Sequence, residues 1–237
     1  MNRERWLRRA QRASDAFGLV LLLVLVTYVL ASLLENSGWP AVIELGAGTT
    51  TAVVGLVSAH TGPRIVRPAL ILAALALALA LIAALGGARN WLSAATLIEV
   101  ALLTAATVAI LRRVVSAVEV SSRTLLGAIS VYAIIGLLFT FLFATVERIQ
   151  GSPFFGKVAD PQSSDFLFFS FTTLTTTGYG DLVPAEQPGR MLAGLEMMIG
   201  QIFLVTLVAG LVSLWRPGEG LLRRRREHGD EAPGVSR

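Results

Sequence analysis

The sequence predicts an all-α membrane protein with six transmembrane helices and one shorter helix that enters the membrane and returns. Three observations predict it. Six segments, 17–34, 41–60, 68–86, 92–111, 123–148 and 189–215, are apolar over about the 20 residues a helix needs to cross a bilayer. Basic residues collect in alternate connections between those segments. The connection before the last segment holds an apolar stretch too short to cross, followed by glycines at 178 and 180. Composition agrees: 54% of the 237 residues are hydrophobic and only 15% charged, which is membrane-class usage. The absence of cysteine excludes disulfides, thiol catalysis and cysteine metal sites. The net charge of +4 does not indicate nucleic-acid binding, because the basic clusters abut the spans.

The elements are taken in order. Residues 1–16 read as a basic cytoplasmic N-terminus. The apolar run 17–34 is longer than the core of a signal peptide and no small-residue cleavage site follows it, so it reads as a retained first span. The second span, 41–60, is the most polar, with Glu44, threonines and glycines; glycines in membrane helices allow close packing. It is also required by charge, since without it Arg64 and Arg67 would lie outside. The third span alternates Ala and Leu, and the fourth ends at Arg112 and Arg113. These four make a four-helix domain, 17–115. A second domain, 116–215, has an outer helix at 123–148, the short helix at 163–174 and an inner helix at 189–215. A basic tail, 216–237, with Arg223 to Arg226, is expected to lie against anionic lipid in the cytoplasm.

Two signals fix one topology. With a cytoplasmic N-terminus, sixteen of the 20 Lys and Arg residues lie inside, as the positive-inside rule requires. Trp6 and Trp215 then fall at the inner interface, and Trp39 and Trp91 at the outer, where amphipathic rings are favoured. A multi-pass protein of the cell membrane with both termini cytoplasmic is expected.

Residues 151–162 are polar and contain two prolines. Ser163, Ser164 and Asp165 are N-cap candidates, and the apolar run Phe166 to Leu174 makes a re-entrant helix. Its C-terminus would point partial negative charge toward a membrane cavity and favour a cation there. The stretch that follows suits a dehydrated cation. Such an ion needs oxygens in place of its water, and backbone carbonyls supply them. Turning successive carbonyls toward one axis requires alternating backbone handedness, which glycine adopts at little cost. Gly178 and Gly180 meet that need, Tyr179 can brace the strand from behind, and the Thr176 hydroxyl can add a lower ring of oxygens.

The run Thr175-Thr176-Thr177-Gly178-Tyr179-Gly180-Asp181 resembles the signature of the potassium-channel family. The resemblance covers 123–215, and Gly189-Arg190 and Gly200 match the spacing of that pore module. It implies a selectivity filter of Thr176, Thr177, Gly178, Tyr179 and Gly180 that coordinates K+, and a homotetramer, since one loop supplies a quarter of a filter. No metal beyond K+ at the filter, no cofactor, no nucleic acid and no soluble ligand domain are expected; membrane lipid is. Two departures stand out. Thr177 occupies a position where the family most often has a β-branched aliphatic residue, which bears on filter stability. Phe168 and Phe169 replace hydrogen-bonding aromatics, so the contacts holding Tyr179 are expected to be more apolar.

Other residues carry two readings each. Asp181 gives a ring of charge at the outer mouth and a structural hydrogen bond to the helix behind. Gly200 is a packing glycine or, as the resemblance implies, a gating hinge; Gly210 marks a close helix crossing. Glu196, four residues before Gly200 and on the same face, either bonds the re-entrant helix at Thr172 or Thr173 or adds charge near the cavity. Glu44 and Glu99 are the other intramembrane acids, which are costly and therefore candidates for function; arginines or polar groups of the four-helix bundle are their expected partners. The fourth span has no arginine ladder, so strong voltage gating is not expected. An enzyme using Glu44, Glu99 or His60 is the alternative of a different class, but it leaves the glycine motif unused, and a one-chain transporter would need four such loops. A poorly selective cation channel is the nearest alternative.

Overall fold

The computed structural model describes residues 3–34, 39–86, 89–116 and 122–214, with side chains described over 17–34, 39–86, 90–116 and 124–210. Among the described residues seven helices follow one another: α1 Arg3–Leu33, α2 Trp39–Ser58, α3 Pro63–Gly86, α4 Arg89–Val115, α5 Ser122–Gln150, α6 Ser163–Leu174 and α7 Gly189–Leu214. Among the described residues the only pairing outside helices is an isolated bridge between Phe155 and Pro184.

Five of these helices, α2, α3, α4, α5 and α7, are long and apolar enough to cross a membrane. The expected first span falls short of that measure, because among the described residues the apolar part of α1 is Phe17–Leu33, 17 residues long. The helix itself does not start there. It begins at Arg3, so the basic N-terminal segment continues the helix instead of preceding it. Trp6, Trp215 and the basic tail lie outside the described side chains.

Packing explains the composition of each helix. The glycines and threonines that make α2 polar are its contact stripe: Gly48, Thr49, Thr51, Ala52 and Gly55 are buried. A Cβ at Gly48 would meet the Phe141 ring at 3.2 Å, and one at Gly55 would press on Ala106 and Ile110 at 3.3 Å. Small residues let helices approach closely where lipid gives no hydrophobic drive to association. α3 does the opposite. It buries only Ala69, Ala73, Ala76 and Ala80 and turns Ile71, Leu75, Ile82 and Leu85 outward, toward lipid. It starts at Pro63, five residues before the expected start. Proline suits a first helical position, where its missing N–H would have had no partner.

The helices alternate in direction. Leu45 near the start of α2, Ala80 near the end of α3 and Ala95 near the start of α4 form one small core cluster. At the opposite end, Phe17, Leu56, His60, Ile65, Val114 and Thr124 line one cavity. Trp39, Trp91 and Ser163 therefore share one end of the bundle and Arg64 the other. With native cysteines absent, Trp91→Cys and Lys157→Cys are expected to react with an impermeant thiol reagent added from outside, whereas Arg64→Cys is not. Labelling of all three from the same side would remove α2 as a span.

Candidate functional site: a helix-backed loop with alternating handedness

α6 coincides with the helix expected over 163–174, but its cap differs. The N-cap is Gln162 rather than Ser163, Ser164 or Asp165. Asp165 sits at the third helical position, and its carboxylate accepts the Gln162 N–H at 2.8 Å, so the acid closes the first turn from within. Behind α6 lies an aromatic cluster. Phe143, Phe154, Phe155, Phe166 and Phe169 have ring centroids 5.0–6.1 Å apart, and all five are buried. Phe154 and Phe155 come from the polar 151–162 connection, which folds back onto the segment after the glycine motif: Gly156 N–H donates to Val183 O at 3.1 Å and Ala185 N–H to Phe154 O at 2.9 Å. Gly189 allows this, because a Cβ there would meet the Phe154 ring at 2.8 Å. Arg190 Nε then donates to Pro184 O at 3.1 Å.

α6 is held at both ends and in the middle. At its first residue, Ser163 Oγ donates to Glu44 Oε2 at 2.6 Å. In the middle, Ser170 Oγ lies 2.7 Å from Gly136 O and 2.6 Å from Glu196 Oε1. At its last residue, Tyr132 Oη donates to Leu174 O at 3.1 Å, and that carbonyl lodges against Gly200, where an added Cβ would collide with it. The sides are packed as well. Phe171 meets Tyr28 of α1 edge-on with centroids 5.3 Å apart, and its ring fills the space that a Cβ at Gly136 would occupy.

Two expectations about the acids change. Glu196 does bond α6, at Ser170 and not at Thr172 or Thr173. The Thr172 hydroxyl turns back to its own helix, onto Phe169 O at 3.1 Å, a local bond that short hydroxyls readily make, and Thr173 is buried one turn beyond Ser170. Glu44 reaches out of the four-helix bundle to α6, whereas Glu99 stays within it and accepts from Thr49 Oγ1 at 2.6 Å. Glu99 Oε1 and Glu196 Oε2 are buried and make no hydrogen bond among the described residues.

The loop after α6 has the backbone its glycines suggest. φ is +50° at Gly178 and +80° at Gly180, and also +57° at Thr176, while Thr177 and Tyr179 keep ordinary negative φ. Handedness thus alternates along five residues, as turning successive carbonyls to one side requires. Thr176 is the member the glycine pattern did not reveal. A β-branched residue is an outlier at positive φ, and such strain persists where the surroundings enforce it. Here the C-terminus of α6 does so: Thr176 N–H donates to Thr173 O at 3.0 Å, and Thr177 and Gly178 N–H to Thr172 O at 2.8 and 3.2 Å. The Thr177 hydroxyl shares a hydrogen bond of 2.9 Å with Thr175, so the unusual side chain has a partner at the base of the loop. Tyr179 stacks on Phe168 at 5.7 Å and 17°; Phe169 belongs to the aromatic cluster instead. The Asp181 carboxylate accepts the Leu182 N–H at 3.0 Å, its own neighbour and not the helix behind. Residues 175–181 are exposed throughout.

Two apolar spans flanking a short helix and a glycine-alternating loop define a pore-loop membrane protein. Comparison with known proteins agrees. Residues 137–216 match a family model described as "Ion channel", a range that contains the second half of α5, α6, the loop and all of α7. The chain is 39% identical over 92 residues to a cyclic nucleotide-gated potassium channel of Rhizobium etli, covering 39% of this chain and 24% of that one. It is 33% identical over 92 residues to a channel of the same description from Mesorhizobium japonicum, with the same coverage. It is 42% identical over 59 residues to a voltage-gated potassium channel of Aeropyrum pernix, covering 23% of this chain and 20% of that one. The chain therefore spans about a quarter of the length of these relatives. These matches make the segment around α5, α6 and α7 of this multi-pass membrane protein similar to ion channels, potassium channels among them.

Proposed function

We propose that this chain is one subunit of a potassium-selective pore, in which four copies surround an axis and K+ passes down its gradient by exchanging water for backbone carbonyls. The observation that carries this reading is the alternation of positive φ at 176, 178 and 180 in an exposed loop anchored to the C-terminus of α6. The loop is exposed throughout, and α7 leaves Met191, Met198, Ile202 and Val205 uncovered. Neighbouring subunits around a central axis would cover part of that face and complete the filter. In this reading Thr176, Thr177, Gly178, Tyr179 and Gly180 coordinate K+, Asp181 charges the outer mouth, α1 serves as a sixth span, and both termini are cytoplasmic.

Gating follows from where the charges are not. Arg112 and Arg113 occupy only the last turn of α4, and the intramembrane charges left to move are mainly Glu44, Glu99 and Glu196. Each elementary charge crossing the full field contributes about 2.3 kcal/mol per 100 mV, and at most about one per subunit is available here. Purified chain in a planar bilayer is therefore expected to pass potassium current with weakly voltage-dependent open probability in symmetrical potassium. Neutralising Arg112 and Arg113 together is expected to leave that dependence nearly unchanged. A steep sigmoid lost on neutralisation would make the four-helix domain a voltage sensor, and absence of any current would remove the channel reading.

A further inference from the structure

The end of the four-helix domain opposite the filter holds a large cavity that conduction does not use. Its volume is about 1110 Å³. Its walls are apolar side chains of α1, α2, α3 and α4, among them Leu56, Ile65, Ala105 and Val108. Its mouth is polar, with Arg112, Arg113 and His60. Arg112 and Arg113 are exposed and make no hydrogen bond or ion pair among the described residues. The same holds for Arg64 and Arg67 at the start of α3, next to the lining residue Ile65. No carboxylate is among the described residues that line the cavity. His60 is fixed there in a left-handed conformation, φ +56°, with Nδ1 donating to Ser58 O at 2.9 Å. Its Nε2 makes no hydrogen bond among the described residues.

We infer that this cavity is a binding site for one anionic phospholipid of the adjoining leaflet, its acyl chains along Leu56, Ala105 and Val108 and its phosphate between Arg112 and Arg113. The charge pattern selects this occupant. An apolar peptide or a zwitterionic lipid would leave two guanidinium groups at the mouth uncompensated. A soluble anion would leave apolar walls of this size facing water. A lipid phosphate carries bidentate-capable oxygens for arginine, and juxtamembrane arginines are strongly attracted to anionic headgroups. The inference needs only that the chain lies in a bilayer, so it stands or falls separately from potassium conduction.

The test is native mass spectrometry of the purified full chain titrated with phosphatidylglycerol or with phosphatidylcholine of the same acyl chains. The expected result is one retained phosphatidylglycerol per chain, preferred over phosphatidylcholine on the order of tenfold. The double variant Arg112→Gln, Arg113→Gln is expected to bring the two lipids close to parity. Ala105→Phe, which fills the cavity from an exposed position, is expected to lower retention of both. Glycerophosphoglycerol, the headgroup without chains, is expected not to compete at equal concentration. Equal retention of the two lipids by the unaltered chain, or an undiminished preference in the arginine variant, would overturn the site. Displacement by the bare headgroup would make it an anion pocket and not a lipid site.

Discussion

Gly178→Ala abolishes potassium current and leaves the protein in the membrane: that is the result expected if the loop is a carbonyl-lined filter. The residue holds φ at +50°, where an L side chain costs roughly 1–2 kcal/mol. No atom lies within 4 Å of the added Cβ, so the effect comes from the backbone and not from a clash. The loop escapes the strain by returning Gly178 to negative φ, which turns its peptide out of the alternation. In a tetramer that happens four times around one axis. Gly62→Ala is the control, since Gly62 has neither positive φ nor a close neighbour, and it should conduct normally. Surface expression and single-channel recording of both variants decide the matter. Normal conductance in Gly178→Ala would end the assignment of this loop as the filter.

Gly200→Ala is expected to have the second large effect, through packing. Alanine in place of glycine ordinarily stabilises a helix by about 1 kcal/mol. Here the new methyl runs into the Leu174 carbonyl oxygen and would lie 2.9 Å from Leu174 Cδ1. A backbone carbonyl has no rotamer to retreat into, and it is already tied to Tyr132. Overpacking of this kind costs about 1–3 kcal/mol, so the variant should melt lower in detergent and, if the loop after α6 is the filter, conduct less. Gly194→Ala, on the same helix with nothing within 4 Å, should melt no lower than the parent. The hinge reading predicts otherwise: altered open probability at unchanged stability. Melting curves of the two variants separate the readings.

Much of the fold and of the candidate site was legible in the sequence, for identifiable reasons. Hydropathy marked α2 to α5 and α7 to within a few residues, with the widest miss at Pro63, because each must contribute an apolar surface of fixed length. The bounds of α6 at 163 and 174 and the positive φ of Gly178 and Gly180 followed from local chemistry. What escaped depends on how helices cross. Ser170 is Glu196's partner because α5 and α7 converge on that point of α6, and no spacing in one segment reveals it. Thr172 was a poor candidate for a physical reason that is visible afterwards: its hydroxyl has a carbonyl three residues back. Gly136 and Tyr132 gave no signal, since one reads as a packing glycine and the other as an ordinary aromatic. Glu44 was recognised as costly, but its partner Ser163 lies 119 residues away. The positive φ of Thr176 had no glycine to announce it, and only the hydrogen bonds to Thr172 and Thr173 account for it.

Selectivity is the central claim, and Thr177 is where it is most exposed to failure. Its hydroxyl bond to Thr175 ties the base of the loop to the end of α6, which favours a loop rigid enough to hold carbonyls at one spacing. The direct measurement is the bi-ionic reversal potential of the purified chain in a planar bilayer, with potassium on one side and sodium on the other. A tenfold preference displaces reversal by about 59 mV. The expected displacement is well beyond that, toward the potassium equilibrium potential. A reversal near zero would contradict the account and make the protein a poorly selective cation channel.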